Sequence, residues 1–446
     1  MAETHPTRPS PAPVLENRSR LRDMVRSLKH RNFQLFFSGQ MISLVGTWMD
    51  NIAEAWLVYR LTGSSVLLGT VAFAGQIPIF LLGPLGGLVA DRFDRRSVVV
   101  ATQVSSMILA GILSFLTLTK RITVGELILI ATLMGVVNAF DVPARQSFLV
   151  ELVGREDLMN GIALNSSMFN SARIIGPSIA GILVASIGEG WCFFANSVSY
   201  IAVIAGLLMM RVPRSAIEAH DASPLEHILE GFRFVRHAVP IRALLTLTAV
   251  VSIVALPYSV LMPIFAARVL HGNARTLGVL MGATGLGALI GALSLASRTR
   301  VQGLARLVAI SCASFGVSLI LFSISRSYFL STILLVPVGC FIMVQMAATN
   351  TLIQSMVPDR LRGRTMALYS MMFLGMAPIG ALLSGIIAQH IGAPWTVAIG
   401  GIGAITGAAI FARHLPKIRV HARELIIAQG LAGGEPAQEL SARSVS

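Results

Sequence analysis

The sequence predicts an all-α membrane protein with twelve transmembrane helices in two six-helix halves, and three observations support this. Apolar residues make up 54% of the 446 residues and charged residues only 13%, whereas a soluble globular chain carries about 25% charged residues. Apolar runs of about 20 residues, the length that a helix needs to cross a bilayer, recur along the chain. The basic residues lie mostly between these runs. A polytopic membrane protein is therefore expected.

The apolar runs also predict the organisation of the chain. We place the spans at roughly 33–58, 66–90, 98–119, 124–149, 160–187, 191–210, 243–267, 276–296, 304–325, 328–353, 365–388 and 394–413. The halves 33–210 and 243–414 are separated by a polar linker, 211–242, which contains an amphipathic segment. A tail over 1–32 includes a basic amphipathic helix, Arg18 to Lys29, which is expected to lie on the membrane surface. A polar tail over 415–446 ends the chain.

The distribution of basic residues predicts the orientation. Of the 35 Lys and Arg residues, only six lie in the loops opposite the two termini, namely Arg60, Lys120, Arg121, Arg268, Arg275 and Arg326. Because Lys and Arg are enriched in cytoplasmic loops, both termini and the linker are expected in the cytoplasm, an N-in/C-in arrangement in the cytoplasmic (inner) membrane. We interpret the net charge of +14 as this bias, so no nucleic-acid partner is expected.

The two halves are predicted to be copies of each other. At a constant shift of 204 residues, the segment Val153–Trp191 aligns with Val357–Trp395, and Gly176 aligns with Gly380. Both segments end in the same pattern, Ile-Gly-x-x-Trp, which shared apolar composition alone would hardly produce. A shift equal to six spans implies halves in parallel relation, with a substrate cavity between them.

The loop after the second span carries a dense set of charges. With the glycine that precedes them, its residues are Gly87, Asp91, Arg92, Asp94, Arg95 and Arg96. The spacing Gly-x-x-x-Asp-Arg-x-x-Arg-Arg resembles the loop signature of major facilitator superfamily transporters, which have glycine in place of Asp94. Asp94 must then make the turn by side-chain hydrogen bonding, and Asp91 is expected to order a cytoplasmic gate through bonds to nearby Arg residues. Arg95 and Arg96 alone could equally mark the end of a span.

Three further segments, 141–146, 151–160 and 357–364, resemble a bacterial exporter branch of that superfamily, the branch that contains the enterobactin exporter. The resemblance implies a secondary transporter that exports a small amphipathic molecule, such as a siderophore, a drug or another metabolite. Proton antiport by rocking of the two halves is implied as well. Proton-coupled uptake by symport is one alternative. A lipid flippase or a membrane scaffold without transport activity is another.

The first span contains a stripe of polar residues at spacings of three and four, which are Gln40, Ser43, Thr47, Asp50 and Glu54. This face must contact protein or water. Two carboxylates one turn apart repel each other when both are ionised, so one of the pair could carry a proton near neutral pH in a poorly hydrated site. Asp50 and Glu54 are therefore candidate proton-coupling residues. Alternatively, they could be solvated near the outer surface or pair with Arg60.

Arg173 lies in the middle of the fifth predicted span. A guanidinium at that depth needs an anion, either a carboxylate such as Asp50 or an anionic substrate. The residues that follow, Gly176-Pro177-x-x-x-Gly181, resemble the fifth-helix motif of superfamily antiporters. Pro177 can bend the helix, while close packing explains the glycines about as well as a hinge does.

Other polar candidates lie on the fourth and tenth spans. Asn138, Asp141 and Arg145 share one face of the fourth span. Asp141 could pair with Arg145 four residues on, or it could reach the charged loop and latch the second and fourth helices together in the outward-facing state. Gln345 and Asn350 on the tenth span are softer candidates, consistent with an amphipathic cavity.

Several classes of site have no support in the sequence. The three lysines do not form a phosphate-binding loop, the nine histidines show no ligand spacing, and the three cysteines are scattered within spans. We therefore predict no enzyme activity, no cofactor, no metal and no disulfide. A monomer that works with a small-molecule substrate, protons and the lipid bilayer is expected.

Overall fold

The computed structural model describes residues 26–211, 232–298 and 303–416, and within them the regular structure is helical throughout. A short 3₁₀ turn, Arg26–Lys29, precedes twelve long helices. These are α1 Arg31–Thr62, α2 Ser65–Arg92, α3 Arg95–Leu118, α4 Val124–Gly154, α5 Glu156–Ile187, α6 Glu189–Met209, α7 Val239–Val269, α8 Ala274–Ala296, α9 Leu304–Ile324, α10 Tyr328–Met356, α11 Leu361–Ile391 and α12 Ala393–Arg413. Each overlaps one of the predicted spans.

The helices are those of a membrane protein. Eleven of them, α2 to α12, are long and apolar enough to cross a membrane. The first helix, α1, is long enough at 32 residues, but its polar stripe lowers its hydropathy, so twelve spans are not obtained by length and composition alone. The stripe faces protein, because Gln40, Ser43 and Asp50 are all buried. The prediction of an all-α membrane protein is confirmed.

The repeat found in the sequence is present in the backbone and in the packing. Gly188 and Gly392, which the shift of 204 pairs, both adopt positive φ values, 92° and 85°, where α5 turns into α6 and α11 turns into α12. Glycine adopts these angles without strain. Gly176 packs against α1 as its counterpart Gly380 packs against α7. The two halves are thus built on one plan.

The halves meet through α2 with α11 and α5 with α8. We call the side of the bundle where α1 begins and α12 ends the termini side, and the opposite side the distal side. The hydrogen bonds between halves in the described residues are both distal: Arg268 Nη2 donates to the Gly63 carbonyl (2.9 Å), and Ser65 Oγ donates to Gln389 Oε1 (3.1 Å). At the termini side, the segment Asp359–Ser370 packs on α7 and α10 of its own half. The cleft between the halves is therefore closed distally and open toward the termini.

The N-terminal segment differs from the prediction. Residues 18–25 of the predicted surface helix lie outside the described residues, and Arg26–Lys29 form a turn that docks on the start of α5. There Asp157 accepts from Arg26 Nε at 2.5 Å and lies 2.8 Å from Lys29 Nζ. For these four residues the structure shows a 3₁₀ turn in place of the predicted surface helix, because the opposite charge of Asp157 holds their basic side chains on the protein. Most of the linker 211–242 also lies outside the described residues.

Candidate functional site

Asp50 lies inside the N-terminal half, on the face of α1 that packs against α6. It is only 8% exposed, and its Oδ1 atom has no hydrogen-bond partner. Asn196 and Tyr200 of α6 face it. The helices approach closely here, because a Cβ atom on Gly46 would lie 2.6 Å from Asn196 Oδ1. Asp50 is therefore a buried acid between two helices of one half rather than part of the wall between halves.

Glu54 lies one turn from Asp50 and is half-buried. Among the described residues, no donor or cation pairs with its carboxylate. The pairing with Arg60 that the sequence left open does not occur, because Arg60 Nε donates to Glu189 Oε1 at 2.7 Å. The two acids are close enough for their charges to interact, so the structure brings this predicted pair together without a neutralising cation.

Asp141 is the centre of a polar network that joins three helices. Its Oδ1 accepts from Thr102 Oγ1 at 2.8 Å and from Gln103 Nε2 at 2.9 Å, both on α3. Its Oδ2 lies 3.2 Å from Arg145 Nη2, and Arg145 also donates to Gln40 Oε1 of α1. In this conformation Asp141 pairs with Arg145, and the latch to the charged loop stays a prediction for the outward-facing state. Asn138, on the same helix, is half-buried.

The charged loop between α2 and α3 is ordered by residues other than Asp91. Asp94 caps α3 as the sequence required, since its Oδ2 accepts from the Ser97 backbone N–H at 2.9 Å. Arg95 Nη1 donates to Glu151 Oε1 of α4 at 2.6 Å, and Arg96 Nη2 donates to the Leu208 carbonyl of α6.

Asp91 and Arg92 are exposed, and neither makes a hydrogen bond or an ion pair with another described residue. The bonds expected of Asp91 are thus absent from this conformation. Arg95 and Arg96 are instead the residues that hold the loop. They are the first two residues of α3, where Arg95 bonds to α4 and Arg96 bonds to α6. Gly87 has open space around it, and Gly86 is the glycine that packs on α4, against the carbonyl of Ala139.

The fifth-helix motif lies where α5 contacts two neighbours. A Cβ atom on Gly176 would lie 2.9 Å from the Val45 carbonyl of α1, and one on Gly181 would lie 2.9 Å from the Gly278 Cα of α8. Pro177 stands between them inside the helix. The motif therefore links the polar helix α1 to the interface with the other half.

Arg173, one turn earlier on α5, lies over the ring of Trp48 with its Cζ 5.6 Å from the ring centre. No carboxylate of the described residues lies within 4 Å of it. The pairing with Asp50 that the sequence allowed is absent, and the charge that acts on Asp50 is that of Glu54. Arg173 is thus separate from the acidic pair.

On α10, Gln345 is 1% exposed, and neither its amide oxygen nor its amide nitrogen has a partner. The shift of 204 pairs Gln345 with Asp141, so the second half keeps a buried polar side chain at this position and loses the charge. Asn350, further along the helix, accepts a hydrogen bond from Gln354.

Comparison with known proteins now identifies the family. Residues 24–434 match the family model described as transmembrane secretion effector. The chain belongs to this family. Its members include exporters and efflux pumps of the major facilitator superfamily, so the predicted superfamily is confirmed and the protein is a membrane transporter, not an enzyme.

Relatives with known names cover most of the length of this chain. The staphyloferrin A transporter of Staphylococcus aureus (strain NCTC 8325 / PS 47) is 28% identical over 84% of this chain and 94% of its own. The enterobactin exporter of Shigella flexneri is 26% identical over 80% of this chain and 85% of its own. The multidrug efflux pump Tap of Mycolicibacterium fortuitum is 26% identical over 78% of this chain and 87% of its own.

Solved structures confirm the fold. The nucleoside transporter NupG has a TM-score of 0.68 at 14% identity and covers 87% of this chain and 99% of its own. A bacterial homologue of the iron transporter ferroportin, in an inward-facing state, has a TM-score of 0.66 at 17% identity and covers 86% and 98%. At this identity the likeness establishes the fold of this chain and nothing further.

Sequence reasoning missed several polar residues of this transporter. Asn196 and Tyr200 of α6 face Asp50, Arg268 bridges the halves, and Asp157 holds the N-terminal turn. Asn196 and Tyr200 stand out in an otherwise apolar span, which was a usable signal. The contact of Arg268 with Gly63 could not be found from the sequence, because it joins residues of different halves through a backbone carbonyl.

Proposed function

We propose that this protein is a proton-coupled exporter, an antiporter of the cytoplasmic membrane, that moves a small amphipathic molecule by rocking of its two halves. The efflux pumps and the siderophore exporter among its relatives support export. The excess of Lys and Arg on the termini side supports an N-in/C-in orientation. With that orientation, the cleft described above opens to the cytoplasm, from which an exporter takes its substrate.

The observation that carries the proposal is the environment of Asp50, which is buried and has one carboxylate oxygen without a hydrogen-bond partner. A buried carboxylate with an unpartnered oxygen, beside a second acid and without a cation, is unfavourable when ionised. Such a group binds a proton when it is closed off and releases it when water reaches it. Ionisable residues at this depth of a membrane protein are functional by default.

The packing of α1 gives Asp50 a route to the interface between the halves. Asp50 faces α6, while Gly176 holds α5 against the other side of α1. Helix α5 in turn contacts α8 of the second half through Gly181. A change of charge at Asp50 thus alters the position of α1, and through it that of α5, in the interface that must open and close during transport.

An imposed pH gradient across proteoliposomes tests the proposal. We would load vesicles with radiolabelled staphyloferrin A or enterobactin, the substrates in the names of two of the relatives, and follow their movement. An antiporter moves at least one of them against the direction of proton flow. Movement with the protons would show symport instead, and no response of any of them to the gradient would overturn proton coupling. A headgroup-labelled lipid in the same vesicles tests the flippase alternative.

A further inference from the structure

Arg173 differs from the arginines of the described residues that form an ion pair with an acid. Arg145 pairs with Asp141, Arg60 pairs with Glu189 and Arg95 pairs with Glu151. Arg173 is half-buried in the middle of α5, and no carboxylate of the described residues lies within 4 Å of it. A guanidinium stays charged at any physiological pH, so this position holds a positive charge that the fold itself does not neutralise.

The side chains around Arg173 are aromatic. Trp48 of α1 lies under the guanidinium, and the ring of Phe169, one turn before Arg173, packs edge-on against Trp48 at 5.6 Å between ring centres. Phe169 is 46% exposed. From the other half, Tyr258 of α7 is close enough to interact electrostatically with Arg173. The charge therefore stands beside an aromatic surface that is open to a ligand.

The position of Arg173 in the cleft suits a transported ligand. A Cβ atom on Gly285 of α8 would lie 3.0 Å from the Arg173 carbonyl, so the two halves touch at this level. Pro177 and Gly181, further toward the distal side, also contact α8. Phe169 lies one turn toward the termini side, where the cleft is open. Arg173 thus lies at the bottom of the cleft, where the two halves begin to touch. This position is near the middle of the membrane, where transporters of this fold class bind substrate.

We propose that Arg173, Trp48 and Phe169 form the receptor for an organic anion, with the anionic group on Arg173 and an aromatic or other planar apolar body against the two rings. An arginine fork matches a carboxylate bidentately, and aromatic faces bind a planar group by stacking. The inference rests on the proposed export function in one respect only, which is that the bound anion is the transported molecule.

Binding of matched probes to the purified protein in detergent tests the site. We would titrate 1-naphthoate, its neutral analogue 1-naphthamide, and citrate as an anion without a ring. Wild-type protein should bind naphthoate at least about tenfold more tightly than either of the others, because a hydrogen bond to a charged group contributes about 1.5 to 3 kcal/mol. The R173Q variant should lose this preference, whereas R173K should keep part of it.

Two further variants separate the site from a general effect on the fold. W48F should abolish most of the quenching of tryptophan fluorescence by naphthoate and leave binding within a few fold by calorimetry. R275Q, which removes an arginine at the start of α8 on the distal side, should behave as wild type. Unchanged naphthoate binding in R173Q, equal binding of acid and amide to wild type, or no naphthoate binding at millimolar concentration would each overturn the proposal.

The assay is independent of the coupling ion, because no gradient is present in detergent. A protein that binds naphthoate through Arg173 but does not respond to a pH gradient in vesicles would refute proton antiport and keep the anion site. A protein that transports a cationic drug against protons, with R173Q unimpaired, would refute the anion site and keep the antiporter.

Discussion

Arg268, near the end of α7, donates a hydrogen bond of 2.9 Å to the backbone carbonyl of Gly63 in the other half, and its guanidinium lies 5.8 Å from the ring centre of Tyr59. The contact closes the distal end of the cleft beside a small cavity of about 210 Å³. The two halves must separate here if the cleft is to open to the distal side. Under the proposed rocking mechanism, this contact breaks and re-forms in each transport cycle.

We expect R268Q to shift the protein toward a state that is open on the distal side, by about tenfold in the ratio of the two states, because a charge-assisted hydrogen bond is lost from only one of them. Distances between spin labels attached to the distal ends of α2 and α11 measure the shift. R275Q serves as the control, since its side chain makes no comparable contact with the first half. An unchanged distance distribution in R268Q would show that the glycine packing alone closes this side.

The acidic pair of α1 gives the second prediction. D50N should keep substrate binding and reduce the response to an imposed pH gradient at least about tenfold, because an amide neither takes up nor releases a proton. E54Q should show a milder form of the same defect. E126Q, which changes a half-buried acid in the capping box at the start of α4, is the control for expression. If D50N and E54Q together leave proton-driven transport intact, Asp141 becomes the next candidate.

The charged loop gives a contrast between two acids. Glu151 is paired with Arg95, whereas Asp91 has no partner in the part of the chain that the structure describes. E151Q should therefore remove about 1 kcal/mol of stabilisation and lower the thermal midpoint of the purified protein, while D91A should leave the midpoint unchanged. We nevertheless expect D91A to reduce transport severely, with normal amounts of protein in the membrane, because the proposed gate needs Asp91 in the opposite conformation. Normal transport by D91A would remove this loop from the mechanism.

Asp157 holds the N-terminal turn with three basic groups, those of Arg26, Lys29 and His30. D157N should release this turn, because an amide attracts the cations far less strongly than a buried carboxylate does. Limited proteolysis should then cut before α1 faster than in wild type, and the thermal midpoint should fall. E156Q, at the exposed neighbouring position, should change neither. Equal proteolysis of D157N and wild type would show that hydrogen bonds such as that from Ser27 to Asn160 hold the turn.

The orientation gives the last prediction. A reporter that is active only in the cytoplasm should be active when fused after Arg413 or within 211–242, and inactive near His271, because basic residues concentrate on the side of the termini. A reporter that is active only outside the cytoplasm should give the reverse pattern. An active cytoplasmic reporter at His271 would contradict both the orientation and the count of twelve spans.

Much of the candidate site could be predicted from patterns along one helix. The polar stripe of α1 requires a protein environment whatever its neighbours are, and the structure buries it. Asp94 as the cap of α3 follows from the local turn. By contrast, the partners of Arg60, Arg95 and Asp157 lie far away in the sequence, and a single sequence does not say which of several acids an arginine meets.

The sequence by itself determined the all-helical membrane fold, its division into two repeated halves and the superfamily, because these depend on hydropathy, on a constant shift of 204 residues and on short local motifs. Only the tertiary structure decided that Arg173 has no carboxylate partner among the described residues and that Asp50 faces α6. Both depend on the rotation and packing of helices against one another, which close glycine contacts such as those of Gly176 and Gly46 fix. The helix period alone assigns a residue to a face, and the neighbouring helix determines what that face meets.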